Sequence, residues 1–277
     1  MTQQIRGRIN GVFRAGLMAC LLFSPATPWA EVSGDLPVIA IVIDDMGNHK
    51  RLGQDAVSLP GPVTYAFLPF TSHSALLARR ARRAGKEVML HLPMTSHRGA
   101  PLGPGAVELY MTEGEFKSTL ATALKSLPGV KGVNNHMGSL LTRHPGAMRW
   151  VMETLQGFGE LYFVDSRTTV ETVAEQVAKE HRLPSGRRDV FLDNVRQPQA
   201  IRAQFETLLR KAQTNGYAIG IGHPYPETIA ALAELLSGLD RRGVRLVPVS
   251  RLLEIQEKRE WQKPSSPSLK VVKNSKR

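Results

Sequence analysis

Two adjacent aspartates, Asp44 and Asp45, follow five apolar residues (39–43) and precede Gly47. A strand does not readily bury two neighbouring carboxylates without partners for their charge. Because successive strand side chains point to opposite faces, the pair is predicted to serve two different roles. Carboxylates in such a position act as metal ligands or as general bases. The alternative interpretation is that one of them only caps the following loop or helix.

Polar side chains also follow the other apolar runs of the chain. In parallel α/β folds the active site forms at the carboxyl ends of the strands, so these side chains are expected to lie near one another. They are His91, Asn134, Asn135, His136, Asp165, Ser166, Arg167, Asp193, Asn194 and His223. Each has an ordinary structural explanation by itself, as a turn histidine or a capping aspartate. Their shared position is what indicates a functional site.

One carboxylate and two imidazoles around one point form a ligand set for a divalent metal, of which Zn²⁺ is the best match. The predicted metal ligands are Asp45, His91 and His136. Three protein ligands leave room for a water molecule, whose pKa a bound metal lowers to about 7. Residues 92–111 form a long segment without a helix pattern, which is typical of a functional loop. His97 in this segment is the alternative ligand.

The remaining strand-end residues are assigned to proton transfer and to substrate binding. Asp44 is predicted to be the general base and His223 the general acid that protonates the leaving group. The residues expected to bind substrate or to orient these groups are Asp165, Arg167, Asp193 and Asn135. The simplest alternative exchanges the roles of Asp44 and Asp45.

Eight short apolar runs alternate with helix-like patterns and determine where these side chains lie. The runs are residues 38–43, 63–68, 87–91, 132–135, 161–164, 190–192, 218–222 and 244–247. Helices are predicted over residues 72–84, 112–126, 145–155, 199–214 and 226–242, with a last one from Ser250. Repeated strand–helix units predict a mostly parallel sheet covered by helices. The predicted fold is a single-domain α/β protein, an irregular (β/α)7–8 barrel, and an open doubly wound sheet is the alternative.

The amino terminus has the pattern of a secretory signal. Residues 1–30 combine three arginines, a short apolar run and a small residue, Ala30, at the expected cleavage position. The alternatives are cleavage after Ala26, lipid attachment at Cys20 and an uncleaved anchor. Cys20 is the only cysteine, so the predicted mature protein has no disulfides and no thiol ligands. We expect export to the periplasm and a catalytic domain over residues 31–254.

The high positive charge is concentrated at the two ends of the chain. The net charge is +12, but residues 1–30 contain three arginines and no acidic residue. Residues 255–277 contain seven lysines and arginines against two glutamates. This last segment is predicted to be a disordered basic tail, which either contacts anionic envelope polymers or is simply solvated. The central part has an ordinary charge and no glycine-rich nucleotide motif, so nucleic-acid and nucleotide binding are not indicated.

Five strand-end motifs resemble those of a known family. They are Val-Ile-Asp-Asp-Met-Gly at 42–47, His-Leu-Pro-Met at 91–94, Asn-Asn-His-Met-Gly-Ser at 134–139, Phe-Val-Asp-Ser-Arg-Thr at 163–168 and Gly-His-Pro at 222–224. Their order resembles that of the divergent polysaccharide deacetylases, which are related to carbohydrate esterase family 4. The resemblance covers residues 36–253. It implies a distorted (β/α) barrel, a zinc-like metal and hydrolysis of an N-acetyl or O-acetyl group on a glycan.

The chain departs from the mainstream pattern of family 4 at the second motif. That motif usually supplies two histidines four residues apart, whereas here Thr95 stands four residues after His91. The second imidazole is therefore expected from another strand, as His136. The first motif, which usually opens with Thr-Phe, has Val42-Ile43. The predicted function is an exported metal-dependent deacetylase, and the alternative is a non-catalytic envelope protein that binds a glycan or a partner with the same fold and metal pocket.

Overall fold

The computed structural model describes residues 36–97, 99 and 101–262, which contain nine strands and eight α-helices. The strands are β1 (Val38–Met46), β2 (Thr64–Phe67), β3 (Glu87–Met94), β4 (Val130–Met137), β5 (Tyr162–Asp165), β6 (Ser185–Arg187), β7 (Val190–Phe191), β8 (Tyr217–Gly222) and β9 (Arg245–Leu246). The helices are α1 (Lys50–Val57), α2 (Ser74–Arg83), α3 (Glu113–Lys125), α4 (Pro145–Gln156), α5 (Ala174–Glu180), α6 (Pro198–Asn215), α7 (Pro226–Leu236) and α8 (Val249–Gln262). The predicted signal segment, residues 1–30, and residues 263–277 of the predicted tail lie outside the described residues.

Strand β1 lies at the centre of one curled, parallel sheet. The strand order is β6-β5-β4-β3-β2-β1-β8-β7, and β9 pairs additionally with β1. Every residue from Val38 to Ile43 is fully buried. Such complete burial is typical of a parallel strand covered on both faces. The apolar run that precedes the two aspartates is therefore the core of the fold.

The first and last strands of this order, β6 and β7, follow one another directly along the chain. Arg188 and Asp189 connect β6 to β7, and no ladder between these two strands is present in the described residues. The Arg188 amide donates to the Asp165 carbonyl of β5 over 2.9 Å, and the Asp189 amide donates to the Ile219 carbonyl of β8 over 2.9 Å. The sheet thus forms an irregular, incompletely closed (β/α) barrel. The predicted fold class is confirmed.

The helix ends follow the local signals of the sequence. Thr112 and Glu115 form a reciprocal capping box at the start of α3, as their spacing predicts. Helices α4, α6 and α7 each begin with a proline. Amide hydrogens in the first turn of a helix have no partner within the helix, and proline has no amide hydrogen to leave unpaired. Helix α6 ends at Gly216, whose φ of 87° is a left-handed conformation that favours glycine. These signals fix the helices that return the chain to the next strand.

Three short elements were missed by the sequence analysis: α1, α5 and β6. Strand β6 is Ser185-Gly186-Arg187 and contains no large apolar residue, so no hydrophobic run marks it. A side chain at Gly186 would approach Leu253 of α8 to 2.9 Å, so this strand packs close to the helix. The predicted helix 226–242 is also shorter, because α7 ends at Leu236 and a separate 3₁₀ turn follows over Asp240–Arg242.

Two predicted boundaries differ from the structure. The basic tail was predicted to begin at residue 255, but α8 continues to Gln262 and Ile255 is 7% exposed, because it packs with the core. The long segment after His91 is shorter than predicted, since β3 extends to Met94, which bridges to Val107. Among the helices of the described part, none is both long and apolar enough to cross a membrane.

Candidate metal centre and active site

Three side chains converge at the carboxyl ends of β1, β3 and β4. Asp45 Oδ1 lies 3.1 Å from His91 Nε2 and 2.9 Å from His136 Nδ1. The two histidine nitrogens lie 3.1 Å apart. The register of β3 and β4 pairs His91 with Asn134 and Pro93 with His136, so the two histidines are offset by two residues along neighbouring strands and share one face of the sheet. The three predicted metal ligands therefore form one cluster, and the described residues contain no second group of this kind.

The cluster fits a divalent metal. Ligand atoms around a tetrahedral Zn²⁺ at 2.0–2.1 Å are separated by about 3.3–3.4 Å, close to the spacing found here. Asp45 Oδ1 is buried, and although two ring nitrogens lie within 3.1 Å, it makes no hydrogen bond of acceptable geometry in the described residues. An ionised oxygen facing two imidazole nitrogens is an arrangement that a shared cation stabilises. One oxygen and two nitrogens suit several divalent ions besides zinc.

The backbone at Asp45 does not follow the strand alternation that we expected. Asp45 has a φ of 54°, and the register of β1 with β2 shifts between Ile43 and Met46. As a result Asp44 and Asp45 both face His91, with Oδ2 of Asp44 3.7 Å from Nε2. The prediction that the two carboxylates point to opposite faces is wrong. Aspartate tolerates a left-handed backbone better than most residues, which is compatible with this local bend.

Asn134 connects one predicted ligand to the predicted base. Its Oδ1 lies 2.8 Å from His91 Nδ1, and its Nδ2 donates to Asp44 Oδ1 over 2.7 Å. The carboxylate accepts only, so the amide nitrogen must face Asp44 and the amide oxygen must face the imidazole. Nδ1 of His91 therefore carries a proton, and in the neutral ring the lone pair of Nε2 faces the cluster.

Asn135, predicted to bind substrate or to orient the catalytic groups, lines the cavity. It donates from Nδ2 to the Met137 carbonyl over 2.8 Å and accepts from the Ser166 amide over 2.8 Å, so it braces the ends of β4 and β5. Among the described residues it is Asn134, and not Asn135, that bonds to Asp44 and His91. The period of two along a strand contained the signal, because Asn134 lies two residues before His136 and shares its face.

The two aspartates differ in their acidity. Burial raises the pKa of Asp44, against the opposing effects of His91, His223 and Asn134. Burial also acts to raise the pKa of Asp45, but its contacts with His136 and His91 outweigh it and the pKa is lowered. Neighbouring carboxylates whose pKa values are pushed apart are typical of a proton acceptor beside a permanently ionised group. This favours Asp44 as the base and Asp45 as the ligand, a division that stays a prediction.

Asp193 fixes the orientation of His223 on the opposite side of the cluster. Asp193 Oδ1 lies 3.0 Å from His223 Nδ1, and Oδ2 accepts from the His223 amide over 2.6 Å and from Thr228 Oγ1 over 2.8 Å. His223 Nε2 then points to the cluster, 3.9 Å from Asp45 Oδ2. Burial lowers the pKa of His223, but the hydrogen bond and charge of Asp193, together with the charges of Asp44 and Asp45, outweigh burial and the pKa is raised. A protonated imidazole held this way is suited to donate a proton.

All five predicted catalytic and ligand residues line one cavity of about 220 Å³. Arg188 lines it as well and was missed by the sequence analysis. Its Nε donates to the Ser166 carbonyl over 2.6 Å and its Nη2 to the Arg167 carbonyl over 2.8 Å. Arg188 directly follows β6, and because that strand contains no large apolar residue, no hydrophobic run marked this segment. Larger cavities, up to about 610 Å³, lie away from the metal-ligand cluster.

Three other predicted or alternative site residues lie outside this cavity. Asp165 is 2% exposed and accepts from the Arg167 amide and from Thr172 Oγ1, both over 2.8 Å, so it shapes the loop after β5. Arg167 contributes its carbonyl, not its side chain, by holding Arg188. The alternative ligand His97 is bound through Nε2 to Arg143 over 2.7 Å and is not part of the metal-ligand cluster.

The family profile described as divergent polysaccharide deacetylase matches residues 41–253. The chain belongs to this family. Among relatives of this family member, the uncharacterized protein YibQ of Escherichia coli K12 is 34% identical over 215 residues, covering 78% of this chain and 67% of YibQ. An uncharacterized protein of Haemophilus influenzae Rd is 31% identical over 244 residues, covering 88% of this chain and 86% of that protein.

Two solved structures share the fold of this family member. The uncharacterized protein ATU2773 from Agrobacterium tumefaciens C58 superposes with a TM-score of 0.76 at 27% identity, covering 81% of this chain and 92% of that chain. A putative cellobiose-phosphate cleavage protein from Enterococcus faecalis V583 superposes with a TM-score of 0.55 at 13% identity, covering 79% of this chain and 99% of that chain. The second similarity indicates a common fold only.

Proposed function

We propose that this divergent polysaccharide deacetylase is an exported, metal-dependent hydrolase that removes acetyl groups from a glycan of the cell envelope or its surroundings. One observation carries the proposal: the cluster of Asp45, His91 and His136 opens into the same cavity as Asp44 and His223. Hydrolysis of an acetyl group needs a water-activating centre, a proton acceptor and a proton donor within reach of one bond.

The metal would be held by Asp45, His91 and His136. A bound Zn²⁺ or similar ion supplies activation of water and polarisation of the acetyl carbonyl. Asp44 takes the proton of the attacking water, and its hydrogen bond from Asn134 keeps the carboxylate in place. The raised pKa of Asp44 makes it a stronger proton acceptor than an exposed aspartate.

His223 completes the reaction by protonating the leaving group. The bond between the acetyl carbon and the sugar nitrogen or oxygen breaks, and Nε2 of His223 gives its proton to that atom. The products are acetate and a free amine or hydroxyl. Asp193 stabilises the imidazolium before the transfer and holds Nε2 toward the cavity throughout.

Export to the periplasm is part of this proposal and is supported by the signal pattern of residues 1–30. To test export, the full chain is expressed, its cell fraction is determined and the first residue of the mature protein is identified. Recovery only in the cytoplasm with an intact amino terminus would contradict it.

Acetate release from purified protein tests the activity. We expect metal-loaded protein to release acetate from at least one class of N-acetylated or O-acetylated glycan, and Asp44→Asn to reduce kcat at unchanged metal content. Elemental analysis of each protein supplies the control for metal loading. If metal-loaded, folded protein releases no acetate from a broad panel, the proposal fails. Saturable glycan binding that Asp44→Asn leaves unchanged, without turnover, would instead favour a non-catalytic glycan-binding protein.

A further inference from the structure

Five planar side chains form a continuous row beside the cavity. Arg188 lies 4.5 Å from the ring centre of Phe191, and Phe191 lies 5.5 Å from the ring of His223. On the other side, His223 stacks on Tyr225 at 5.4 Å, and the Arg196 guanidinium lies 3.6 Å from the Tyr225 ring centre. The row begins in the cavity at Arg188 and ends on the exposed surface at Arg196.

The two arginines at the ends of this row lack a carboxylate within 4 Å among the described residues. Other arginines are paired, for example Arg202 with Glu234 and Arg242 with Glu206. Arg188 is compensated within the site, because Asp44 acts on it electrostatically and two carbonyls accept its hydrogen bonds. Arg196 has no such compensation in the described part of the chain.

The stacking of Arg196 prepares it for an anion. A guanidinium lying over a ring at 3.6 Å is restricted in orientation, yet its N–H donors point outward in its own plane and stay available. The fork of donors matches the two oxygens of a carboxylate or of a phosphate. Because the side chain is already ordered, less conformational entropy is lost when it binds.

Arg196 therefore lies one ring beyond the proposed general acid, at the exposed end of a row that begins in the cavity. We propose that the glycan carries an anionic group, a carboxylate or a phosphate, close to the acetylated sugar, and that Arg196 binds this group. The inference rests on the proposed function, since it extends the same substrate beyond the cavity. Arg196 selects among acetylated glycans, while the cavity residues carry out the chemistry.

Equilibrium binding to metal-loaded protein tests this inference without requiring turnover. Three oligosaccharides of similar length serve as probes: a neutral chain of N-acetylglucosamine, an N-acetylated chain containing uronate carboxylates, and an N-acetylated chain bearing a phosphate. We expect the wild type to bind at least one anionic chain roughly tenfold more tightly than the neutral chain at low salt. Arg196→Gln should remove this preference, and about 0.5 M salt should weaken it in the wild type.

Arg241→Gln is the matched control, because Arg241 is exposed near the opposite end of the barrel and the variant carries the same charge change. Arg196→Lys should retain part of the preference, since a lysine keeps the charge but lacks the paired, planar N–H donors of a guanidinium.

A preference for the uronate chain alone or for the phosphate chain alone supports the inference and identifies the anion. Equal binding of all three probes overturns it, as does an equal loss of preference in Arg241→Gln. Deacetylation of the neutral chain with no anion preference would overturn this inference and leave the proposed function standing.

Discussion

Asn134 donates a hydrogen bond from Nδ2 to Oδ1 of Asp44 over 2.7 Å. The oxygen of the same amide faces His91 Nδ1 at 2.8 Å, so one side chain positions both a predicted metal ligand and the predicted base. Partners that orient a ligating histidine strongly affect metal affinity.

The first prediction is that Asn134→Ala weakens metal binding by roughly 10–100-fold. The variant leaves His91 free to rotate and to change tautomer, and it removes a buried partner of Asp44. A competition titration with a chromogenic chelator measures the affinity. Asn194→Ala, at an exposed position beyond β7, should bind metal as the wild type does. Wild-type affinity in Asn134→Ala would show that the amide does not position His91.

The second prediction concerns stabilisation of the fold by metal. An ion that binds only the folded state at about 100 times its Kd stabilises it by about 2.7 kcal/mol, which corresponds to a rise in Tm of roughly 5–10 °C for a domain of this size. We expect zinc to raise the Tm of the wild type and to have little effect on His136→Ala, which lacks a ligand.

His97→Ala is the control for this experiment, because His97 is bound to Arg143 and lies outside the metal-ligand cluster. It should keep the full rise in Tm. Differential scanning calorimetry with and without zinc, after treatment with a chelator, measures each shift. The reverse pattern, with the shift lost in His97→Ala and kept in His136→Ala, would assign the second imidazole to the long loop.

The third prediction is a pH dependence at Asp165. Burial raises the pKa of this aspartate in the folded state, against the hydrogen bonds from Arg167 and Thr172. A raised folded pKa means that its contribution to stability is fully present below the unfolded pKa of about 3.9 and is lost as pH rises through the folded value. At pH 7 the buried ionised group therefore costs stability relative to its neutral form.

Asp165→Asn replaces this group by a neutral one of the same shape. The amide oxygen still accepts from the Arg167 amide, and the amide nitrogen donates to the Thr172 hydroxyl. The quantity compared is the free energy of unfolding of the variant minus that of the wild type. We expect this difference to be more positive at pH 7 than at about pH 4. Urea unfolding at the two pH values measures the difference. A variant that becomes relatively less stable as pH rises would contradict the direction of the shift.

The fourth prediction concerns Arg188, which lies beside Asp44 in the cavity. Its positive charge stabilises the ionised form of Asp44, so its removal should raise the pKa of that carboxylate further and leave less of it in the ionised form that accepts a proton. We expect Arg188→Gln to lower kcat/KM for acetate release roughly 10–100-fold while the metal content stays unchanged. Arg187→Gln, one residue earlier and with an exposed side chain, is the matched control. Equal loss in both variants would point to a general effect on the β6 segment.

The barrel was predictable because short apolar runs mark most of its strands. Four of the six predicted helices start or end at recognisable caps or prolines, and the capping box at Thr112 was found from its spacing alone. Strand β6 could not be found in this way, since Ser185-Gly186-Arg187 is held by its neighbours rather than by its own hydrophobicity. Arg188 was missed together with it.

The cluster of ligand residues was predictable from strand ends, but its geometry was not. The left-handed backbone of Asp45 has no signal in the sequence, because aspartate adopts this conformation only where the surrounding structure requires it. That bend turns Asp45 toward His91 instead of away from it. By contrast, the contact of Asn134 follows from the period of two along β4, because Asn134 shares a face with His136, and the sequence analysis named only its neighbour Asn135 for an orienting role.

The two-residue connection between β6 and β7 links barrel closure to the site. The amides of Arg188 and Asp189 are bound to β5 and to β8 respectively, and the side chain of Arg188 reaches the cavity. The described residues show no ladder between β6 and β7, so we expect hydrogen exchange to detect the first opening of the sheet at this connection. Each such opening would withdraw a positive charge from beside Asp44. Arg188 and Asp189 would therefore control both the opening of the sheet at this point and the ease with which Asp44 accepts a proton.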